Sequence, residues 1–222
     1  MSEPEVFADR RAAGRVLGEV VARYLSASGP PSVPPLVLGL PRGGVPVAVE
    51  VARAVGGQLD VVVARKVGFP GQPELGVGAV TDDGPPVFNT ALLRRAGLTV
   101  EDLVDEVARE RAEARRRLRR YRGDRPPPLV HGRVVVVVDD GLATGITARA
   151  AIDAVRRGGP DRLVLAAPVC AARSVRDLDD AADAVLCART PARFGAVGAW
   201  YDDFAQLTDE DVEQALGEPR PA

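Results

Sequence analysis

Histidine occurs once in these 222 residues, as His131, and lysine once, as Lys66; the other 28 of the 29 basic residues are arginine. A single histidine, in the loop PPLVHGR, excludes His-rich metal sites and histidine-based catalytic triads. The two cysteines, Cys170 and Cys187, stand far apart in apolar runs. Neither has a ligand-spaced partner, so no zinc site is expected and both read as small buried hydrophobes. No uninterrupted apolar run reaches the ~18 residues of a membrane span. The N-terminus, MSEPEVFADRRAAG, opens acidic and has no apolar signal core, so a cytoplasmic protein without a membrane partner is expected. Neither sign of charge dominates: the net charge of −2 offers no electrostatic footprint for nucleic acid. In a chain so biased toward arginine, the lone ammonium of Lys66 draws notice because the two cations are not chemically equivalent, although a single residue can also be chance.

Hydrophobic residues make up 46% of the chain, enough for the core of one domain spanning 1–222. Residues 8–26 read as an amphipathic helix, with Val16, Leu17, Val20, Val21 and Tyr24 at helical spacing. After the stiff connector GPPSVPP a strand–helix rhythm begins. LVLGL (36–40) is a strand, PRGG (41–44) a turn, and VPVAVEVARAV (45–55) a helix ended by Gly56-Gly57. LDVVVAR (59–65) reads as one strand, GFPGQPELG (68–76) as a loop, and VGAV with PVFN as a hairpin. Thr99, with Asp102 three residues on, opens a charged helix running to about Tyr121. Its thin apolar face fits a half-exposed cover or a subunit contact; its segment ARRRLRRYR could also be read as nucleic-acid binding, but acidic residues precede it. RVVVVV (133–138), DRLVLAAPV (161–169) and DAVLCAR (183–189) are further strands, with helices at 144–157 and about 173–182. Such alternation predicts an α/β fold with a parallel sheet flanked by helices, of Rossmann-like type. The core covers about 35–190, with a C-terminal aromatic cap and helix at about 191–216.

Ligands of open parallel sheets bind at the carboxyl ends of the strands, and three loops there carry unusual chemistry. In VVVVVDDGLATGIT (134–147), five valines run into Asp139 and Asp140, then Gly141, Leu142, Ala143, Thr144, Gly145, Ile146 and Thr147 lead into a helix. A helix start presents open amides and a positive dipole end suited to phosphate. The two acids suit vicinal sugar hydroxyls, or a hydrated Mg²⁺. In GLPRGGVP (39–46), Gly43 and Gly44 free the backbone to present amides to an anion, and Arg42 adds a cation. In VVVARKVGFPGQPELG (61–76), Arg65 and Lys66 sit at a strand end before a Gly/Pro-rich segment that could close as a lid. Glu74 in that segment is a candidate acid/base or base contact, or a solvated loop residue. Near the C-terminus, Phe194, Trp200, Tyr201 and Phe204 are four of the nine aromatics within eleven residues. They could stack on a flat ligand or simply pack the core.

VVVVVDDGLATGIT resembles the 5-phosphoribosyl-1-diphosphate signature of type I phosphoribosyltransferases, in its adenine-type wording. The resemblance implies that Asp139 and Asp140 hold the ribose hydroxyls, residues 143–147 wrap the 5-phosphate, and Arg42, Gly43, Gly44, Arg65 and Lys66 take the diphosphate. It implies a small hood over the base, with Trp200 and Tyr201 on the base side, Mg²⁺ at Asp139 and Asp140 directly or through water, and a homodimer. Catalysis would then rest on Asp139, Asp140 and Lys66, with transfer of a phosphoribosyl group to a nitrogenous base. Members acting on hypoxanthine and guanine carry an acid just before TG; Ala143 stands there in this chain and speaks against a 6-oxopurine. A regulatory protein of the same fold that binds the sugar diphosphate or a nucleotide without transfer is the alternative, since fold alone does not decide activity.

Overall fold

In a computed structural model that describes residues 6–217, without the side chains of Pro73 and Glu74, helices and strands alternate as the hydrophobic pattern predicts. Helix α1 (Arg10–Ala27) precedes β1 (Leu36–Gly39), α2 (Gly44–Val55) and β2 (Gln58–Val61). Then come β3 (Ala64–Phe69), β4 (Gln72–Thr81), β5 (Val87–Phe88), α3 (Thr90–Ala96) and α4 (Val104–Arg122). The second half runs β6 (Val134–Val138), α5 (Ile146–Arg157), β7 (Arg162–Val169), α6 (Ala172–Leu178), β8 (Ala184–Arg189) and α7 (Asp209–Gly217).

Five strands form one parallel sheet in the order β2-β1-β6-β7-β8. The valines of β6 sit near its middle and are all buried, because helices cover both faces and alternation of polar and apolar residues is not needed. Val135 and Val137 face Ala148, Ile152 and Val155 of α5, whereas Val134, Val136 and Val138 share a core with Leu17 and Val21 of α1 and Val47 and Val51 of α2. Fully burying one such side chain contributes on the order of 1.5–3 kcal/mol. Among the described residues, no helix is long and apolar enough to cross a membrane.

Three local expectations change. LDVVVAR is not one strand: the parallel ladder stops at Val61, and β3 leaves to pair antiparallel with β4 in a second, three-stranded sheet of order β3-β4-β5. The Gly/Pro-rich stretch read as a loop is the far end of that β3–β4 hairpin, whose ladder accommodates Gly68 through register shifts on either side. A helix the periodicity did not reveal, α3, starts after Asn89, whose side chain accepts from the Leu92 amide. Thr99 and Asp102 do pair, the Thr99 amide donating to Asp102 at 2.8 Å, but no side chain caps the segment and a short 3₁₀ turn over Glu101–Leu103 comes before α4.

The cysteines are a correction. Cys170 and Cys187 are joined in a disulfide, with Cα atoms 6.1 Å apart. Their separation of 17 residues spans α6, so no short ligand-like spacing announces the pair; adjacency of β7 and β8 brings them together. A covalent link closing a loop of this length stabilises by about 3 kcal/mol, chiefly through the unfolded chain. Replacing both cysteines by alanine is expected to lower the free energy of denaturant unfolding by that amount while leaving the circular dichroism of the folded state unchanged.

Candidate functional site

The site begins with register. Strands β1 and β6 are parallel neighbours with Gly39 beside Val138, so both run out at the same height. The Leu40 amide then donates to the Val138 carbonyl at 2.8 Å, and the PRGG turn, with a cis peptide between Pro41 and Arg42, folds directly onto the acids that follow β6. A Cβ on Gly44 would lie 2.5 Å from the Val138 carbonyl oxygen and 2.9 Å from the Asp139 Cα. One on Gly43 would meet the Asp140 carboxylate. Gly44 is thus required by backbone contact between two loops, and a side chain at 43 would displace the Asp140 carboxylate, a reason that a local turn reading does not contain.

The signature loop is held from beneath. The Leu142 amide donates to the Val169 carbonyl, and the Ala171 amide to Leu142's own carbonyl, at 2.9 and 2.8 Å. Ser174 of α6, itself buried, donates its hydroxyl to the Ala143 carbonyl at 2.5 Å. Ala143 and Thr144 are left exposed at the apex. Gly145 turns the chain into α5 with φ +70°, a left-handed conformation that suits glycine. No side chain caps α5, and its first helical bond is Arg149 amide to Gly145 carbonyl. The amides of Ile146, Thr147 and Ala148 therefore have no acceptor within the helix and point, with the dipole, out of its start. An anion fits that position.

Two adjacent carboxylates recessed at a strand end are costly. Burial, reinforced by the charge of Asp140, pushes Asp139 well above the usual carboxylate range. Burial raises Asp140 as well, and Arg10 offsets part of that rise through its hydrogen bond and its charge. The Asp140 amide turns back to Asp139 Oδ1 at 2.8 Å. Arg10, the first residue of α1, places Nε 2.9 Å from Asp140 Oδ2, and the Tyr201 hydroxyl donates to the Asp140 carbonyl at 2.5 Å. Burial and the nearby Asp140 charge raise the Tyr201 pKa, so the phenol stays protonated and can donate.

The sequence-predicted residues distribute unevenly. Gly43, Gly44, Asp139 and Asp140 are in contact, and the 143–147 loop is continuous with them. Arg42 approaches Asp209 at 3.9 Å. Arg65 is engaged by Glu110 of α4 at 2.8 Å, while Lys66 is exposed on β3 beside Gly76. Trp200 and Tyr201 are buried with Phe7, Ala13 and Val169, at 8% and 6% exposure. Tyr201 braces Asp140, the Trp200 indole donates to the Phe194 carbonyl, and both offer little open ring face. Glu74 falls within β4, and its side chain lies outside the described residues. No cluster of three or more metal-capable side chains occurs among the described residues. The acid pair alone fits Mg²⁺, which commonly takes one or two protein carboxylates and completes its shell with water and substrate phosphate.

Arg10, Phe7 and Ser174 were missed by sequence reasoning. For Arg10 a signal existed: Arg10 and Arg11 open a helix with no acid in its first turn, where the dipole disfavours cations.

Two outcomes follow from this geometry. Gly44→Ala forces a methyl against backbone atoms and should cost about 1–3 kcal/mol, seen as a lower thermal midpoint. A carboxyl whose folded-state pKa exceeds its unfolded value costs stability above the folded pKa and none below the unfolded one. Asp139→Asn should therefore raise the thermal midpoint at neutral pH, with the gain vanishing as pH falls below about 4; melting curves of both proteins between those limits check the sign.

The "Phosphoribosyl transferase domain" family profile matches residues 21–199. A Mycobacterium tuberculosis protein bearing the name "Putative phosphoribosyl transferase" is 43% identical over 208 residues, 94% of this chain and 46% of its own length. The chain thus spans about half the length of the curated relatives it matches. The crystal structure of TT1426 from Thermus thermophilus is 47% identical, covers 95% of this chain and 97% of its own, and superposes with a TM-score of 0.77. The AQ2163 protein of Aquifex aeolicus, at 10% identity, covering 94% of this chain and 85% of its own, with a TM-score of 0.51, shares the fold. The match across most of the chain, on a parallel sheet whose first and third strands in chain order within it end in PRGG and DDGLATGIT, shows that this protein belongs to the phosphoribosyl transferase domain family.

Proposed function

We propose that this chain binds 5-phosphoribosyl 1-diphosphate with Mg²⁺ and transfers the phosphoribosyl group to a nitrogenous base. The observation that carries the reading is the contact of Gly43 and Gly44 with Asp139 and Asp140, beside the uncapped start of α5. That contact gathers a sugar-hydroxyl acceptor, an anion-binding helix start and a second glycine turn into one space.

In this reading Asp139 and Asp140 accept the ribose hydroxyls. Thr144, Thr147 and the amides of 145–147 take the 5-phosphate, while Arg42, Gly43 and Gly44 receive the diphosphate with Arg65 and Lys66. When bound at Asp139 and Asp140, Mg²⁺ supplies further neutralisation of the departing charge. A ring nitrogen of the base forms its bond to C1 as the C1–oxygen bond to diphosphate breaks. The chain contributes by fixing the sugar and by presenting donors where negative charge accumulates. Arg65 must exchange Glu110 for the diphosphate, so the β3–β4 hairpin is the element that moves. Ala143 offers no carboxylate beside Thr144, and a 6-oxopurine acceptor is not expected.

The proposal includes a cytoplasmic location; the disulfide, a bond that persists mainly in oxidising compartments, argues the other way. It also includes a homodimer, for which Val100 and Val104, 49% and 59% exposed before and at the start of α4, offer an apolar contact. No nucleic-acid or membrane partner is included.

Asp139→Asn with Asp140→Asn is expected to weaken binding of the sugar diphosphate by about 10–100-fold for each acid, measured by calorimetry, with the fold retained. Diphosphate release across a panel of purine and pyrimidine bases with Mg²⁺ tests transfer itself. Thermal stabilisation by the sugar diphosphate without release for any base would instead favour the sensor reading.

A further inference from the structure

Arg10 and Asp140 lie 130 residues apart in sequence, yet their side chains are only 11% and 15% exposed and meet at 2.9 Å. The guanidinium is fixed on three sides. Its Nε holds Asp140 Oδ2, its Nη1 donates to the Ala205 carbonyl at 2.9 Å, and its Cζ lies over the Phe204 ring, 3.9 Å from the centroid. Phe204 rests on Tyr201 at 5.0 Å between centroids, and Tyr201 on Phe7 at 5.7 Å. The backbone closes the same unit: the Phe7 amide donates to the Trp200 carbonyl, and the Asp202 and Asp203 amides to the Phe7 and Ala8 carbonyls. The N-terminal segment and the C-terminal aromatic segment therefore form one cap, and that cap grips Asp140 twice, at the carboxylate through Arg10 and at the carbonyl through Tyr201.

A plain stabilising ion pair accounts poorly for this placement. Recessed ion pairs contribute little net stability once desolvation is counted, and Arg10 stands at the first position of α1, where the dipole disfavours a cation. Local rules broken without local gain commonly mark a functional position. The three contacts also need a planar fork with a stacking face, which lysine lacks.

We infer that Arg10 is a positioning residue of the sugar site: it fixes the Asp140 carboxylate against the Gly43 turn in the orientation that receives a ribose hydroxyl, and makes that orientation depend on the aromatic cap. The inference rests on the reading of Asp140 as a sugar ligand. It assigns to the cap a role in holding the sugar, distinct from any contact with the base.

The test is calorimetry on the full chain with two probes, ribose 5-phosphate and inorganic diphosphate. Arg10→Met should weaken ribose 5-phosphate binding about tenfold or more and diphosphate binding by clearly less, the smaller effect arising because Arg10 also lies beside the Gly43 turn. Arg10→Lys, which keeps the charge but loses the fork and the stack, should fall between the two. If Arg10→Met does not fold, Arg10→Lys decides with the same two probes. Wild-type affinity for ribose 5-phosphate in a folded variant, or equal loss for both probes, overturns the positioning role. Failure of the unmodified protein itself to bind ribose 5-phosphate overturns the sugar-site reading instead, and the inference with it.

Discussion

The site depends on one close approach, the turn after β1 lying on the end of β6. Because Gly39 and Val138 are partners in a parallel ladder, the two strands release their chains at the same level, and the next residues compete for the same space. Only a residue without a Cβ at 44 lets both backbones occupy it, and one at 43 leaves the Asp140 carboxylate in place. Once they do, α2 and α5 both start from this end of the sheet, with neither start covered by a side-chain cap. The open amides of both helix starts are thus gathered at one end of the sheet by packing as much as by the residues lining it.

The same crowding creates an electrostatic cost. Two adjacent acids are withdrawn from water, and each is shifted toward its neutral form by burial. Arg10, from the first helix, offsets part of this at the Asp140 carboxylate, while Tyr201 holds the backbone of the same residue. A site arranged this way is less stable without ligand than an apolar packing would be, and is correspondingly ready for hydroxyl donors or a cation. The support beneath it is rigid: Leu142 is stitched to the end of β7, Ser174 holds Ala143, and the disulfide ties the end of β7 to β8. Mobility is better sought in the β3–β4 hairpin that carries Arg65 and Lys66 than in the acid pair.

How far the sequence could be read varies with the range of the interaction. The strand Val134–Val138, the acids after it and the glycine-marked entry to α5 are contiguous, so strand, turn and helix start all announce themselves within fourteen residues. The break between β2 and β3 did not, because VVVAR is equally apolar on both sides of the point where it changes sheets; the partner strand decides where one ladder ends. The hairpin over 68–76 was hidden for a related reason, since glycine and proline mark irregular backbone but do not say whether a neighbouring strand will accommodate it. The aromatic cluster near the C-terminus was visible as composition, while its role in bracing Asp140 was not.

By itself, then, the sequence determined the fold class, the order of most core elements and the residue make-up of the DDGLATGIT loop, because each is written in local periodicity and short-range turn residues. The tertiary structure decided the rest. It paired Cys170 with Cys187, divided the chain between two sheets, set Gly44 against Asp139, and brought Arg10 from the first helix onto Asp140. Those are contacts between segments 17 to 130 residues apart, and no periodicity within one segment carries information about a partner that only folding places beside it.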